Sequence, residues 1–480
     1  MFMGQNRIVP VGDQDGNRRP SVGLNLGYAS GNAGLQCIVT ATTYFLLIFY
    51  IDFVGLDPRL AALAVALPRF WDAFSDPLMG VISDRSNFAS GRRRPYILWG
   101  APLLAVTFVL LWYPFTGGDQ AIKFAYLLVA NLAFTTAITI VGVPYTSLGG
   151  ELSTDYHGRT TVFAYSQGLG MVGALVGFAM YNVAMAIPFC SEHLQFATAA
   201  AYLAIPSSLL FVVVYFATRG ADRLKPSSSS IKFFSMVVVS LRNHSFRNLV
   251  LTLVIVNAGM VLGGQFLTFL IIHWIKLPDI LVYAFVTYTV CTLISFPVWR
   301  KIGTHMDKKH ALAGGYGISA FVFLSSLILF EPGNAMYVYI YAALAGFCGA
   351  PGLLFPPSMI ADIADEAELE TGARNEGMYY GSYSFILKLS LALGSLWAGA
   401  GLWLAGYKAG AVPSESTLFY MRMFYLGAVI PHFLGAMVIF KGYPLTCERA
   451  AQIRKALLEL AHGASGSNED EQLENGENSE

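Results

Sequence analysis

The 480-residue sequence is short of charge. Only 12% of its residues are Asp, Glu, Lys or Arg, where a soluble protein carries about 25%. A surface that faces water on all sides cannot be assembled from that stock. The charge present favours neither sign, with 30 basic and 30 acidic residues, which excludes the basic face of a nucleic-acid binder. Cysteine is scarce too. Cys37, Cys190, Cys291, Cys348 and Cys447 show no CxxC or Cys/His ligand spacing, so neither a disulfide framework nor a zinc site is indicated; they read as small hydrophobes. The phosphate-cradling pattern GxxxxGK[ST] is missing, the eight histidines have no ligand spacing, and no nucleophile–base set is evident. An enzyme, and an ATP-driven one in particular, is therefore not expected. Residues 1–25 are polar and lack the apolar core of a cleavable signal peptide, so the first span is expected to serve as the insertion signal.

What is abundant is apolar: 55% of the residues are hydrophobic, 14% aromatic, and the mean hydropathy is +0.54. Apolar runs of about 20 residues, enough to cross a bilayer, recur near 26–50, 59–83, 95–114, 122–149, 159–187, 195–218, 247–274, 279–300, 310–330, 335–361, 376–405 and 417–441. The expected fold is an all-α membrane protein with twelve transmembrane helices. With a cytoplasmic N-terminus, 23 of the 30 Lys and Arg fall in cytoplasmic segments, five in outer loops, and two, Arg69 and Lys388, inside spans. The positive-inside rule therefore puts both termini in the cytoplasm.

The longest internal break, 219–246, divides the spans six and six. The halves echo each other: Gly80-Val-Ile-Ser-Asp84-Arg85 follows the second span, and Gly303-Thr-His-Met-Asp307-Lys308 the eighth. Pro144 before Glu151 likewise matches Pro356 before Asp362. Such pairing predicts a major facilitator fold, two pseudo-symmetric six-helix bundles at 26–218 and 247–441, which moves solute by rocking about a midplane site. A cytoplasmic tail at 1–25, the central loop at 219–246 and an acidic tail at 442–480 complete the organisation.

Ionisable groups inside spans cost about 2.5–3.5 kcal/mol each on insertion scales, so each asks for a function. Asp72 and Asp76 lie four apart in the second span, which stacks both carboxylates on one helix face. Two such charges are relieved by a hard cation such as Na⁺, by a proton, or by an ammonium, and Lys388 in the eleventh span is the ammonium at hand. Arg69, one turn before Asp72, brings the intramembrane set to two positive and two negative charges. At the cytoplasmic boundary, Asp84, Arg85, Arg92, Arg93 and Arg94 read either as an orientation signal or as a gate. A gate would pair, in the outward-open state, with Asp362, Asp365, Glu366, Glu368 and Glu370. Asn243-His-Ser245 matches a glycosylation sequon on the cytoplasmic side and is discounted. His273 reads as an interfacial histidine, and Tyr379, Tyr380 and Tyr383 either line a solute face or pack.

The strings Trp71-Asp72-Ala-Phe-Ser75-Asp76-Pro77-Leu-Met-Gly80 and Gly91-Arg92-Arg93-Arg94-Pro95-Tyr96 resemble the glycoside-pentoside-hexuronide:cation symporters of the major facilitator superfamily. So do Met359-Ile-Ala-Asp362, Gly372, Glu376-Gly377, Lys388 and Tyr443-Pro444-Leu445-Thr446; the likeness runs from about Gly27 to Leu460. The resemblance implies cation ligands at Asp72, Asp76, Ser75 and Thr139, with Lys388 as the lysine that communicates with them. Arg69, from its place among the intramembrane charges, is expected either to join Lys388 in coupling or to be structural. The family's sugar-binding acids, stacking tryptophan and arginine fall at Gln36, Gly142, Thr146 and Gln167; Tyr383 and Ser384 complete the candidate solute set. The expected function is import of a sugar or glycoside with Na⁺ or H⁺ by alternating access. No cofactor or resident metal is implied beyond Na⁺ at Asp72 and Asp76. A lysolipid or other amphiphile is the alternative solute, and a non-transporting sensor or scaffold the alternative of another class. A monomer in the bacterial inner membrane is expected, with solute, cation and lipid as its partners.

Overall fold

The computed structural model describes residues 21–88, 90–115, 117–152, 156–187, 194–219, 233–371, 376–409, 411–453, 455–457 and 459. The expectations for the tail before residue 21, most of the central loop and the acidic tail after 459 lie outside the described residues. Among those described, no strand occurs. The spans are α1 (Val22–Phe53), α2 (Pro58–Arg85), α3 (Arg94–Leu111), α4 (Gln120–Glu151), α5 (Tyr156–Phe178, continued by Met180–Ala186) and α6 (Leu194–Ala217). After a short helix, Phe233–Ser240, come α7 (His244–Ile275), α8 (Leu281–His305), α9 (Lys308–Leu329), α10 (Ala335–Thr371), α11 (Glu376–Leu404) and α12 (Glu415–Gly442, breached near Gly427).

Eleven described helices are long and apolar enough to cross a membrane, and α2 is not one of them. Its middle carries Arg69, Asp72 and Asp76, whose charge removes the continuous apolar stretch that marks a span. Neighbours make α2 tenable. Pro68 frees the carbonyl of Ala64, and Asn131 of α4 donates its amide to that oxygen at 3.1 Å. Pro351 in α10 frees the Phe347 carbonyl in the same way, and the Trp299 indole of α8 fills it at 2.8 Å.

Helix starts follow local chemistry. Asp57 caps α2, accepting the Arg59 N–H at 2.9 Å, with Pro58 at the first helical position. Asp119 caps α4 at 3.0 Å. Asn243 of the sequon is the cap of α7, its side-chain oxygen accepting the Phe246 N–H at 2.8 Å. Where α5 crosses α1, Gly173 lies against the Ala33 carbonyl so closely that a Cβ would collide with it.

The twofold echo is complete in the packing. In the N-terminal half, α1 packs on α5 and α6, α4 on α2 and α3, and α3 on α6; adding six to every number gives the packing of the C-terminal half. Between halves the symmetry breaks. The α2–α11 seam is extensive, whereas α5–α8 and α1–α7 touch more lightly, and α4 does not pack along α10.

Candidate functional site

The intramembrane charges meet at the α2–α11 seam. Lys388 Nζ bonds to Asp76 Oδ2 and lies 3.6 Å from Asp72 Oδ2. Asp72 is buried, its side chain 9% exposed, while Lys388 and Asp76 keep 31% and 27%. From α4, Thr139 Oγ1 sits 2.9 Å from Asp76 Oδ1, 3.2 Å from Asp72 Oδ1 and 3.2 Å from Ser75 Oγ. A threonine hydroxyl has one proton to donate, so it cannot satisfy both carboxylates at once. Three oxygens around one short-handed hydroxyl, four with its own, form the donor set a hard cation prefers. Asp72, Asp76 and Lys388 sum to one negative charge, which a single Na⁺ or H⁺ neutralises. Arg69 is half-buried and has no described ion pair within 4.0 Å.

This cluster forms one wall of a cavity of about 520 Å³. Asp72, Asp76, Thr139 and Lys388 line it together with Gly142, Thr146, Ser147 and Ser384, while Leu35, Pro77, Ile138, Val143 and Phe385 make it partly apolar. Of the residues implied for solute binding, the structure thus brings together Gly142, Thr146 and Ser384. Gln36, Gln167 and Tyr383 are not among its described lining residues. Tyr379 is buried against Phe246, with ring centroids 5.2 Å apart, and Tyr380 donates to the Pro357 carbonyl at 2.8 Å; both pack.

At the end of the bundle that holds Arg92, the described ion pairs stay within each half. Arg93 bonds Glu151 at 2.6 Å and Asp84 at 2.7 Å, and Arg92 also bonds Glu151. Arg94 donates to the Ser90 carbonyl at 2.6 Å and the Tyr215 carbonyl at 2.5 Å, and stacks on the Tyr215 ring at 4.3 Å, tying the loop to α6. Arg85 is exposed. In the other half, Lys308 bonds Asp362 at 2.5 Å. Glu151 and Asp362, matched by sequence, are therefore matched by role. The Tyr443 segment is a strap: Lys309 donates to the Tyr443 carbonyl at 3.2 Å, and Asp307 accepts the Cys447 N–H at 2.7 Å.

At the opposite end sequence reasoning marked His273 as interfacial but missed its partners. Asp52 at the close of α1 accepts from Tyr407 at 2.7 Å and from His273 Nε2 at 2.9 Å, and the latter two lie 2.8 Å apart. Burial, with the Asp52 carboxylate beside it, holds the Tyr407 phenol above its ordinary range, so it remains a donor. These residues come from different halves. Just below them Phe178 of α5 stacks on Phe285 of α8 at 3.6 Å, and Tyr44 of α1 packs on both at 4.9 and 5.1 Å. The only sequence signal was an acid and a histidine at apolar helix ends.

The family model for MFS/sugar transport proteins matches residues 27–447. The sodium-dependent lysophosphatidylcholine symporter 1 of Mus musculus is 25% identical over 93% of this chain and 90% of its own. The inner membrane symporter YicJ of Escherichia coli K12 is also 25% identical, over 92% and 95%. Among solved structures, a bacterial homologue of the lysosomal transporter Spinster, inward-facing and unoccupied, superposes with a TM-score of 0.63 at 11% identity, over 88% of this chain and 97% of that one. The nucleoside transporter NupG gives 0.59 at 12% identity, over 87% and 99%. These structural likenesses establish a shared fold.

Proposed function

Because the chain belongs to the MFS/sugar transport protein family and is a cation-coupled symporter of the major facilitator fold, we propose that its coupling ion is Na⁺ and its solute an amphipathic molecule. The observation that carries the ion is the cluster of carboxylate and hydroxyl oxygens about Thr139, facing Lys388. In the empty carrier the ammonium of Lys388 supplies the charge that a cation would. Na⁺ entering among Asp72, Asp76, Ser75 and Thr139 competes with Lys388 for Asp76, loosening the tie between α2 and α11. The filled and empty clusters then favour different arrangements of the halves, and that difference is the coupling. Arg69 adds positive potential one turn away. The amphipathic solute rests on the cavity wall, where Leu35, Ile138, Val143 and Phe385 face the polar groups of Thr146, Ser147 and Ser384.

The distribution of Lys and Arg supports a cytoplasmic Arg92 end and cytoplasmic termini, in a bacterial inner membrane, with a single chain as the working unit. On that orientation the bonded Asp52 end is the outer one, and the structure corresponds to an inward-facing state. The rigid bodies that rock are 26–218 and 247–441. In the opposite state Arg85 and Arg92 to Arg94 would approach Asp362 to Glu370; a cysteine pair at Arg85 and Glu368 should cross-link only there, and equal cross-linking in both states would remove the gate.

Uptake into proteoliposomes under imposed Na⁺ or H⁺ gradients, with glycosides and lysolipids as cargo, tests the reading. Asp76→Asn should lose Na⁺-driven accumulation while keeping some solute exchange. Full accumulation by that variant would defeat the assignment. A neutral glycoside is the second solute reading, favoured by the three hydroxyls of Thr146, Ser147 and Ser384 in the cavity wall.

A further inference from the structure

A second cavity, of about 240 Å³, lies within the C-terminal half, closed on its N-terminal side by Thr43 and Tyr44 of α1. It sits beside the cation cavity: Leu391 in its lining follows Lys388 by three residues, about one turn of α11. Its walls are mostly apolar, with Tyr44, Phe285, Tyr288, Phe323, Tyr341 and Tyr425 as their aromatic part, and no acid or base is among its described lining residues. The tyrosines of the far wall are occupied with each other, Tyr341 bonding Tyr425 through their hydroxyls.

Among its polar lining residues, Asn257 donates to the Leu253 carbonyl and Ser319 to the Cys348 carbonyl; Gln265 differs. Its side chain is 2% exposed, and its amide nitrogen donates to the Thr43 carbonyl and to Ser395 Oγ, both at 3.2 Å. The Thr43 carbonyl, which can only accept, fixes which end of the amide is nitrogen. The other end, Oε1, is buried and has no protein partner. Oε1 itself is closed off from the cavity that Gln265 lines. An unmet buried acceptor costs roughly the desolvation of the group, so a ligand donor that meets it as the side chain turns toward the cavity would be recognised there.

We propose that this cavity is the subsite for the apolar part of the transported solute, and that the part is compact: a fused-ring or terpenoid-sized group with one hydrogen-bond donor directed at Gln265. Size sets the class. An apolar cavity of about 150 Å³ holds benzene, so this one holds about ten carbons, and a long acyl chain does not fit. The inference rests on the reading of the protein as a carrier of amphipathic solutes and specifies which amphiphile.

The test is direct binding, by calorimetry, to the full chain in lipid nanodiscs. The probes are β-D-glucosides with methyl, hexyl, dodecyl, 2-naphthyl and 6-hydroxy-2-naphthyl aglycones. Affinity should rise about fourfold per added carbon while the cavity fills, peak at the naphthyl compounds and fall at dodecyl. The hydroxynaphthyl compound should bind about tenfold more tightly than the naphthyl one, and Gln265→Leu should erase that preference while still binding both. A merely structural Gln265 would weaken both alike, and that result removes its role as a recognition group. Affinity that climbs through dodecyl overturns the compact subsite but keeps the amphipathic reading. Equal affinity for methyl and naphthyl overturns the amphipathic reading itself, and binding by none of the probes overturns the subsite. Ala345→Phe, which fills the cavity, should cost the naphthyl compound more than tenfold and the methyl compound less than twofold; size-exclusion and thermal-unfolding profiles identify a variant that has failed to fold.

Discussion

The two ends of this carrier hold their charges in opposite ways. At one end the hydrogen bonds of Asp52 run from one half to the other, joining α1 to the end of α7 and the residues after α11. At the Arg92 end the described ion pairs close within a half, Arg92 and Arg93 on Glu151 in one, Lys308 on Asp362 in the other. The Asp72–Asp76–Lys388 cluster belongs with the first kind, because it ties α2 to α11. Bonds between rocking halves are made and broken in each cycle, whereas bonds inside a half travel with it. The first kind sets which state is populated; the second sets whether a half holds together.

Substitutions should separate the two kinds. The largest effect is expected at Lys388→Met, which leaves two carboxylates facing each other without their ammonium. Gradient-driven uptake should fall by more than about 100-fold (over 2.7 kcal/mol) while the protein stays monodisperse; uptake within threefold of wild type would mean that the cluster is not the coupling element. Glu151→Gln should do the reverse. It removes the carboxylate shared by Arg92 and Arg93, whose side chains are 10% and 9% exposed, while Arg93 keeps its bond to Asp84. The expected cost is about 3 kcal/mol, with transport per folded molecule little changed. Thermal unfolding read beside specific activity decides it, and an unaltered melting point would count against a structural role.

Lys308→Met is the smaller version in the other half, because Lys308 keeps 32% exposure; about 1–3 kcal/mol of stability is expected to go. A loss of transport without a loss of stability would move this pair to the other kind. Smallest is Asp52→Asn, which weakens one link among several at its end. Labelling of a cysteine at Thr43 from the outer side should quicken about tenfold, equivalent to about 1.4 kcal/mol. No change in labelling would mean that the aromatic stack of Phe178, Phe285 and Tyr44 closes that end by itself.

Span number, the six-plus-six division and the matched acids Glu151 and Asp362 were legible because hydropathy and spacing are local properties. Asp72, Asp76 and Lys388 were legible for a different reason: charge inside a span is expensive, and opposite charges in different spans must find each other. Asp52 and Tyr407 escaped notice and His273 was read only as an interfacial histidine, since a polar group at a helix end costs little, and 221 and 355 residues separate Asp52 from its two partners. Gln265 escaped as well, for a neutral amide in a span raises no alarm until its second atom proves unmet. The family-implied positions Gln36 and Gln167 show the limit of carrying a motif across. Neither side chain is among the described lining residues of the cation cavity in this state.

The freed carbonyl of Ala64 has a consequence for biogenesis. Its partner Asn131, the Thr139 hydroxyl that reaches Asp72 and Asp76, and Thr136, whose oxygen accepts the Trp71 indole N–H at 3.0 Å, all belong to α4. During synthesis α2 leaves the ribosome two spans before those groups exist. Lipid alone offers nothing to its open carbonyl or its carboxylates, so α2 must wait at the insertion machinery, or at the bilayer edge, until α4 follows. The residues proposed to bind the cation thus make the insertion of one helix conditional on the arrival of another.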